Sequence, residues 1–365
     1  MTTSMTADTT ARTVIIGVDT HKHVHVAVAI GIDGTRLEDR SVSADSGGYT
    51  QLIDWAMSLG RIEAFGIEGT GSYGVGLASA ARRRGFRVVE VNRGDRRSRR
   101  ANGKSDTLDA EAAARSVLSG QSRAIPKAAD GHSEMIRQIK VARDTAVKAR
   151  TSAMITLKQI VVNAPAELRE QLAGLGDKAL IARCAGFRRG TVDDTIASAK
   201  HTLRALARRW LDLDTEIGEH DAVLDELTNQ AAPSVRARFG VGPDTAAEML
   251  IVLGDNPERV HSEAAFAKLC GACPIPASSG MSAGRHRLYR GGHRQANAAL
   301  YRTVIVRMRF HQPTIDYVER RTAEGMPKRE IIRCLKRFLA REIYHCALAD
   351  HRAHKDPPGS ASEAA

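Results

Sequence analysis

The chain has 365 residues, and its 54 Lys and Arg against 42 Asp and Glu leave a formal charge of +12 at neutral pH. That surplus favours polyanionic partners, nucleic acid first. With 42% hydrophobic and 26% charged residues, the composition excludes wholesale disorder and suits two or three domains with cores of their own. No apolar run reaches the roughly 18 residues a membrane span requires. The opening MTTSMTADTTARTV lacks the apolar stretch of a signal peptide, so a cytoplasmic protein with no membrane partner is expected. The five cysteines, Cys184, Cys270, Cys273, Cys334 and Cys346, are odd in number and scattered, which predicts free thiols in a reducing compartment.

Residues 13–125 read as an α/β unit. VIIGVD (14–19) and VHVAVAI (24–30) are close enough to form a hairpin, and a third strand follows the turn Ile32-Asp33-Gly34, over 36–43. A helix after Gly47-Gly48, a strand over 64–68, a helix over 75–84, a strand over 88–91 and a helix over 106–118 complete the order. Three strands in a meander followed by αβαβα is the order of an RNase H-like domain.

Beyond residue 130 the strand pattern stops. Met135, Ile139, Ala142, Ala146, Ala149, Ala153, Thr156 and Ile160 step by four and three, as do Ile196, Ala199, Leu203, Leu206, Trp210, Leu213, Ile217, His220, Leu224 and Leu227. This predicts two long helices of coiled-coil type, the first ended by Asn163-Ala164-Pro165. Between 130 and 226 there are 15 acidic and 15 basic residues, so this arm suits self-association better than nucleic-acid binding. His220 takes an inward position, where a polar residue either fixes register or faces water at a frayed end. The segment 229–352 is again helical and basic, and 353–365 reads as a disordered tail. The basic charge gathers in two places, a local +8 over 82–104 and a local +11 over 285–341.

The chemistry-bearing residues follow from this order. Asp19 closes the first strand and Glu68 the fourth, which lie side by side in such a sheet, while Asp106 and Asp109 in KSDTLDA share one face of the last helix. Each taken singly reads as a solvated strand end or, for Asp106, a helix cap. Four carboxylates brought together repel unless hard divalent cations sit among them, and that arrangement performs phosphoryl transfer. Asp33 and Asp45 read as turn residues. His21, His23 and His25 alternate along the second strand, which suits an exposed polar face better than a metal strip. Tyr73 either stacks a base or packs its turn.

FGVGPDTAAEMLIVLG (239–254) has the outline of a helix-hairpin-helix, whose helix start either holds a phosphate or is a plain Gly-Pro turn. In 270–304, Ser278, Ser279 and Ser282 occupy a loop ahead of Arg285, His286, Arg287 and Arg290. A serine there can attack phosphorus with arginines neutralising the phosphate, although Ser-Ser-Gly is also an ordinary loop. Cys270 and Cys273 lack a second pair at zinc spacing.

With these residues set out, the sequence resembles the DEDD transposases of the insertion-sequence 110 family, also described as bridge-RNA-guided recombinases, over about residues 13–350. The likeness rests on VIIGVDTHK (14–22), GIEGTGSYG (66–74), VNRGDRRSRRANGKSDTLDAEAAA (91–114) and the block from LCGACPIPASSG to RGGHRQANAAL (269–300). It implies an α/β plus α fold: a RuvC-like catalytic domain (13–128), an antiparallel coiled-coil arm for dimerisation (129–228) and a C-terminal transposase domain (229–352). It further implies a magnesium-binding tetrad of Asp19, Glu68, Asp106 and Asp109. The family serine falls on Ser279, with Ser278 as the fallback; where the family commonly has lysine, this chain has Tyr289-Arg290. The implied activity is DNA cutting and rejoining through a 5′-phosphoserine. Its implied partners are donor and target DNA, a non-coding guide RNA, and further copies of the chain in a dimer or tetramer. On this reading Arg96, Arg97, Arg99, Arg100, Lys104, Arg285, Arg287, Arg290 and Arg294 contact nucleic acid, and the protein joins the nucleoid when active. Two alternatives stay open: a hydrolytic RuvC-like nuclease or junction resolvase, and a non-catalytic transposase remnant that only binds nucleic acid.

Overall fold

Every residue of the first strand from Val14 to Val18 is buried, as in a strand covered on both faces. This computed structural model describes residues 12–92, 105–277 and 286–355 and divides after Ala128 into two units. In the first unit, β1 (Thr13–Thr20), β2 (Val24–Gly31), β3 (Arg36–Ser43), β4 (Arg61–Glu68) and β5 (Val88–Val91) form one sheet in the order β3-β2-β1-β4-β5. The β1–β2 and β2–β3 pairs are antiparallel, whereas β1–β4 and β4–β5 are parallel. Helices α1 (Ser46–Leu59) and α2 (Val75–Arg83) cover one face with Leu52, Trp55 and Leu77, and α3 (Asp106–Leu118) covers the other with Ala110, Ala113 and Ala114. Asp45 caps α1 by accepting a hydrogen bond from the Gly48 amide at 2.8 Å.

The packing of α3 depends on two glycines. Gly17 of β1 and Gly66 of β4 are ladder partners, and a Cβ on Gly17 would lie 2.0 Å from the Ala110 carbonyl oxygen. A Cβ on Gly66 would meet Val117 at 2.7 Å. The bare backbone at this pair lets an alanine-faced helix approach the sheet closely.

One expectation about this unit fails. β2 starts at Val24, so His21 and His23 lie in the preceding turn and do not alternate along the strand with His25. Nor is His25 exposed: it is fully buried and stacks on Tyr49 with ring centroids 5.6 Å apart. Val24 to Gly31 is apolar enough to run covered on both faces, and His25 is carried inside with it.

In the second unit, α4 (His132–Asn163) and α7 (Thr195–Ala231) run antiparallel, since Arg143 meets Asp221 and, farther along α4, Arg150 meets Asp214 nearer the start of α7. The predicted stripe on α7 agrees, with Leu203, Ile217 and Leu224 buried. On α4 it starts one residue later than expected: Met135 is 49% exposed and Ile136 fully buried, because the first turns of α4 pack into the C-terminal core as well as against α7. Two short helices absent from the sequence reading, α5 (Ala166–Leu172) and α6 (Asp177–Ala185), close the far end, where Leu168, Leu172 and Ile181 pack with Leu157 and Leu203.

The remaining helices are α8 (Pro233–Arg236), α9 (Pro243–Leu253), α10 (Glu263–Leu269), α11 (Arg294–Phe310), α12 (Gln312–Ala323) and α13 (Lys328–Lys355). Met249, Leu253, Phe266, Leu300 and Ile343 lie at the heart of their core. A small antiparallel pair, β6 (Pro274–Pro276) with β7 (His286–Leu288), interrupts what reads as all helix. Helix α13 continues to Lys355, so 353–355 are helical and not part of a disordered tail; the residues after them lie outside those described.

The start of α9 is not an open anion seat. Asp244 stands in its first turn and pairs with Arg302 at 2.6 Å and with the buried Lys140 of α4 at 2.8 Å. Lys140 also meets Asp144 and Glu248, each at 3.1 Å. All five cysteines are free, and burial pushes the Cys184 thiol up to about 11 and that of Cys270 to about 12. No helix among the described residues is long and apolar enough to cross a membrane.

Candidate functional site

Strand topology alone brings the first two carboxylates together. β1 and β4 are parallel neighbours, in register from Ile15 opposite Ala64 to Val18 opposite Ile67, so Asp19 and Glu68 leave the same end of the sheet side by side. The Thr20 hydroxyl donates to the Glu68 carbonyl at 2.9 Å and ties the two strand ends together. After Glu68 the chain must turn at once, and Gly69 does so at φ +66°, a conformation that favours glycine.

Helix α3 brings the other two. Its cap position is Ser105, so Asp106 is the first helical residue and does not cap the helix. Asp106 and Asp109 stand in the first turn, where the helix dipole favours negative charge, and the close seat of α3 over Gly17 brings that turn to the end of β1.

His21 Nδ1 lies 3.9 Å from Asp19 Oδ2 and its Nε2 3.9 Å from Asp106 Oδ1. One ligand atom each from Asp19, His21 and Asp106 fall within 4.8 Å of one another. Asp19 is 9% exposed and Asp106 exposed. Burial pushes the Asp19 carboxyl above its ordinary range; His21 opposes this, while the charges of Glu68, Asp109 and Asp106 push the same way. All four acids therefore act on one electrostatic site, with the His21 imidazole between Asp19 and Asp106. Hard carboxylate oxygens with one imidazole suit magnesium or manganese, so the donor set fits a divalent ion. Sequence reasoning missed His21 as a neighbour of the cluster, because a strand was expected where the chain turns.

The cationic residues named from the sequence divide differently. Arg287 lies on β7, Arg290 in the turn after it and Arg294 at the first position of α11, all exposed. Arg96, Arg97, Arg99, Arg100, Lys104 and Arg285, together with Ser278, Ser279 and Ser282, lie outside the described residues.

Two family models match the chain. Residues 16–164 match a transposase model of the DEDD type named for IS110, and residues 234–319 match the transposase IS116/IS110/IS902 family. An uncharacterized 42 kDa protein of insertion element IS900 from Mycobacterium paratuberculosis is 27% identical over 151 residues, 41% of this chain. An uncharacterized 43.6 kDa protein of insertion element IS110 from Streptomyces coelicolor is 29% identical over 139 residues, 37% of this chain. The chain spans 38% and 32% of the lengths of these two relatives.

Proposed function

The chain belongs to the IS110 family of transposases, and from that premise we propose that it cuts and rejoins DNA strands with the carboxylates at the end of the β1–β4 pair. The observation that carries this is the convergence of Asp19, Glu68, Asp106 and Asp109 on one electrostatic site, where burial first, and then the charges of Glu68, Asp109 and Asp106, raise Asp19. Asp19, Glu68, Asp106 and Asp109 would hold divalent ions, magnesium by preference, which when bound supply charge neutralisation at a phosphodiester. Asp19, buried at the strand end, fixes the position of the site, while the exposed Asp106 faces incoming substrate. His21 stands between the two carboxylates, one ring nitrogen 3.9 Å from each.

The covalent partner in this reading is Ser279, with Ser278 as the alternate. Its Oγ bonds to phosphorus as the P–O3′ bond breaks; the 3′ oxygen leaves with a proton, and the strand is held as a 5′-phosphoserine until another 3′-hydroxyl reverses the step. The α4–α7 pair serves as the self-association arm of a homo-oligomer, and a non-coding RNA of the element selects donor and target DNA. Activity then belongs in the cytoplasm, at the nucleoid.

The test is to incubate the full chain with RNA from its own locus, flanking DNA and magnesium, and to map any covalent protein–DNA adduct by peptide mass. An adduct on Ser279 that disappears in Ser279→Ala and in Asp106→Ala supports the reading. Cutting without an adduct that survives Ser279→Ala replaces it with a hydrolytic nuclease, and binding that no Asp106→Ala change affects replaces it with a non-catalytic remnant.

A further inference from the structure

The second unit holds a buried lysine with no counter-charge among the described residues. Lys336 of α13 is 6% exposed, and its one hydrogen bond among the described residues runs from Nζ to Asn297 Oδ1 at 2.9 Å. It has no carboxylate partner there; burial, and then the nearby Arg333, press its ammonium below the ordinary lysine range. A buried charge is normally paired, because leaving water is costly.

The surroundings indicate what completes it. Lys336 and Asn297 line a cavity of about 440 Å³ together with Arg290, Arg294, Tyr289 and Tyr301. The Asn297 amide is oriented by two bonds that its Nδ2 donates, to the Gly271 carbonyl at 2.7 Å and the Cys270 carbonyl at 3.1 Å, which leaves Oδ1 for the lysine. The glycines of the RGGH segment shape the wall. A Cβ on Gly292 would lie 2.3 Å from the Gly271 amide nitrogen, and one on Gly291 would lie 2.5 Å from the Tyr289 hydroxyl. Arg294 is the first residue of the 17-residue helix α11, whose cap residue His293 accepts a hydrogen bond from the Ala296 amide at 3.3 Å, so that helix begins at the edge of the same space.

From Lys336, Arg290, Arg294 and this helix start, we infer that the cavity is a binding site for a phosphate group of a nucleic-acid strand, with Lys336 as its inner cation. Tyr301, 47% exposed, and Tyr289 flank the cations and offer aromatic surface to the adjoining sugar or base. A phosphate fits better than a peptide carboxylate because three cations converge on one space. The nucleic-acid source rests on the proposed function; the anion site itself rests on Lys336 and the arginines that line the cavity with it.

The experiment uses the full chain and inorganic phosphate, with chloride balanced to constant ionic strength, and reads melting temperature. The wild-type protein gains stability with phosphate, whereas Lys336→Met loses that response while melting no lower than wild type without phosphate. Arg290→Gln weakens the response and serves as a second, exposed variant that leaves the core intact. A Lys336→Met protein that keeps the full phosphate response overturns the inference. So does one that melts far below wild type with the response unchanged, which makes the lysine a structural tie between α13 and α11. Labelled DNA and RNA strands of one sequence then separate the sources: the strand that occupies the cavity loses about tenfold in affinity in Lys336→Met, and its salt dependence drops by about one phosphate contact. The phosphate arm uses neither DNA cutting nor metal, so its failure leaves the carboxylate reading untouched, and the reverse holds.

Discussion

The two units gather acidic side chains in opposite ways. At the end of the β1–β4 pair, Asp19, Glu68, Asp106 and Asp109 act on one another with an imidazole between them, and the most buried acid is pushed toward its neutral form. Around Lys140, by contrast, Asp144, Asp244 and Glu248 surround a buried ammonium with Arg143 and Arg302 close by. Burial there drags the lysine down, but Asp244, Glu248 and Asp144 outweigh it and hold the charge. Asp244 in turn stays below its ordinary range despite burial, because Lys140, Arg302 and Arg143 outweigh the loss of water. A compensated cluster fastens α4 to α9, whereas the other gathers its acids at a strand end through backbone topology, with the most buried of them pushed toward its neutral form.

That contrast can be broken at its strongest point first. Asp106→Ala should lower the rate of DNA strand cutting by at least about 10³-fold, the equivalent of several kcal/mol of lost charge stabilisation, while circular dichroism and melting stay unchanged because the side chain is exposed. Equal cutting by the variant would remove the carboxylates from the chemistry.

Next in size is the compensated cluster. Lys140→Met takes the buried ammonium from Glu248 and leaves Asp144 and Asp244 to Arg143 and Arg302 around an apolar side chain, and urea unfolding should show a loss of about 3–5 kcal/mol. The same change at Lys336 should cost under about 1 kcal/mol or stabilise the chain, since it removes a buried charge that has no opposite partner among the described residues. Two buried lysines in one unit, changed identically, thus give opposite results if compensation is what separates structure from binding.

The smallest effect is in acid. Glu248 lies above its ordinary 4.5, chiefly through burial, so its protonation adds stability as pH falls through the raised folded value. Asp244 lies below its ordinary 3.8, so its contribution is present above that pH and is lost as pH falls through the lower folded value. Stability of the second unit should therefore rise slightly and then fall on acidification. Glu248→Gln should erase the rise, and Asp244→Asn should flatten the fall at the expense of stability near neutrality, both read from melting curves between pH 3 and 7.

Much of the first unit is legible in the sequence because β1 and β2 are long apolar runs and clear turns separate the strands. The glycines in VIIGVD and FGIE carry more information than their composition suggests, since only their pairing across the β1–β4 ladder explains how α3 comes close enough to present Asp106. His21 is misplaced because the alternation of His21, His23 and His25 is carried back past the start of β2 at Val24, where residues 21–23 turn at the mouth of the site. In the second unit the heptads marked α4 and α7, yet the stripe on α4 drifted where Ile136 joins the C-terminal core. Lys140 and Lys336 were invisible to sequence patterning. Their partners, Asp244 and Glu248 for one and Asn297 for the other, lie far along the chain, and only tertiary packing brings them near.

Whether the carboxylates at the end of the β1–β4 pair take up a divalent cation decides the metal reading. Calorimetric titration of magnesium, then manganese, into the full-length protein tests this directly, with Asp19→Asn and Asp106→Ala alongside. Saturable binding that raises the melting temperature of the wild-type chain and is lost in both variants, with Asp19→Asn already more stable than wild type in the absence of metal, is the predicted result. Binding that persists undiminished in both variants would contradict it.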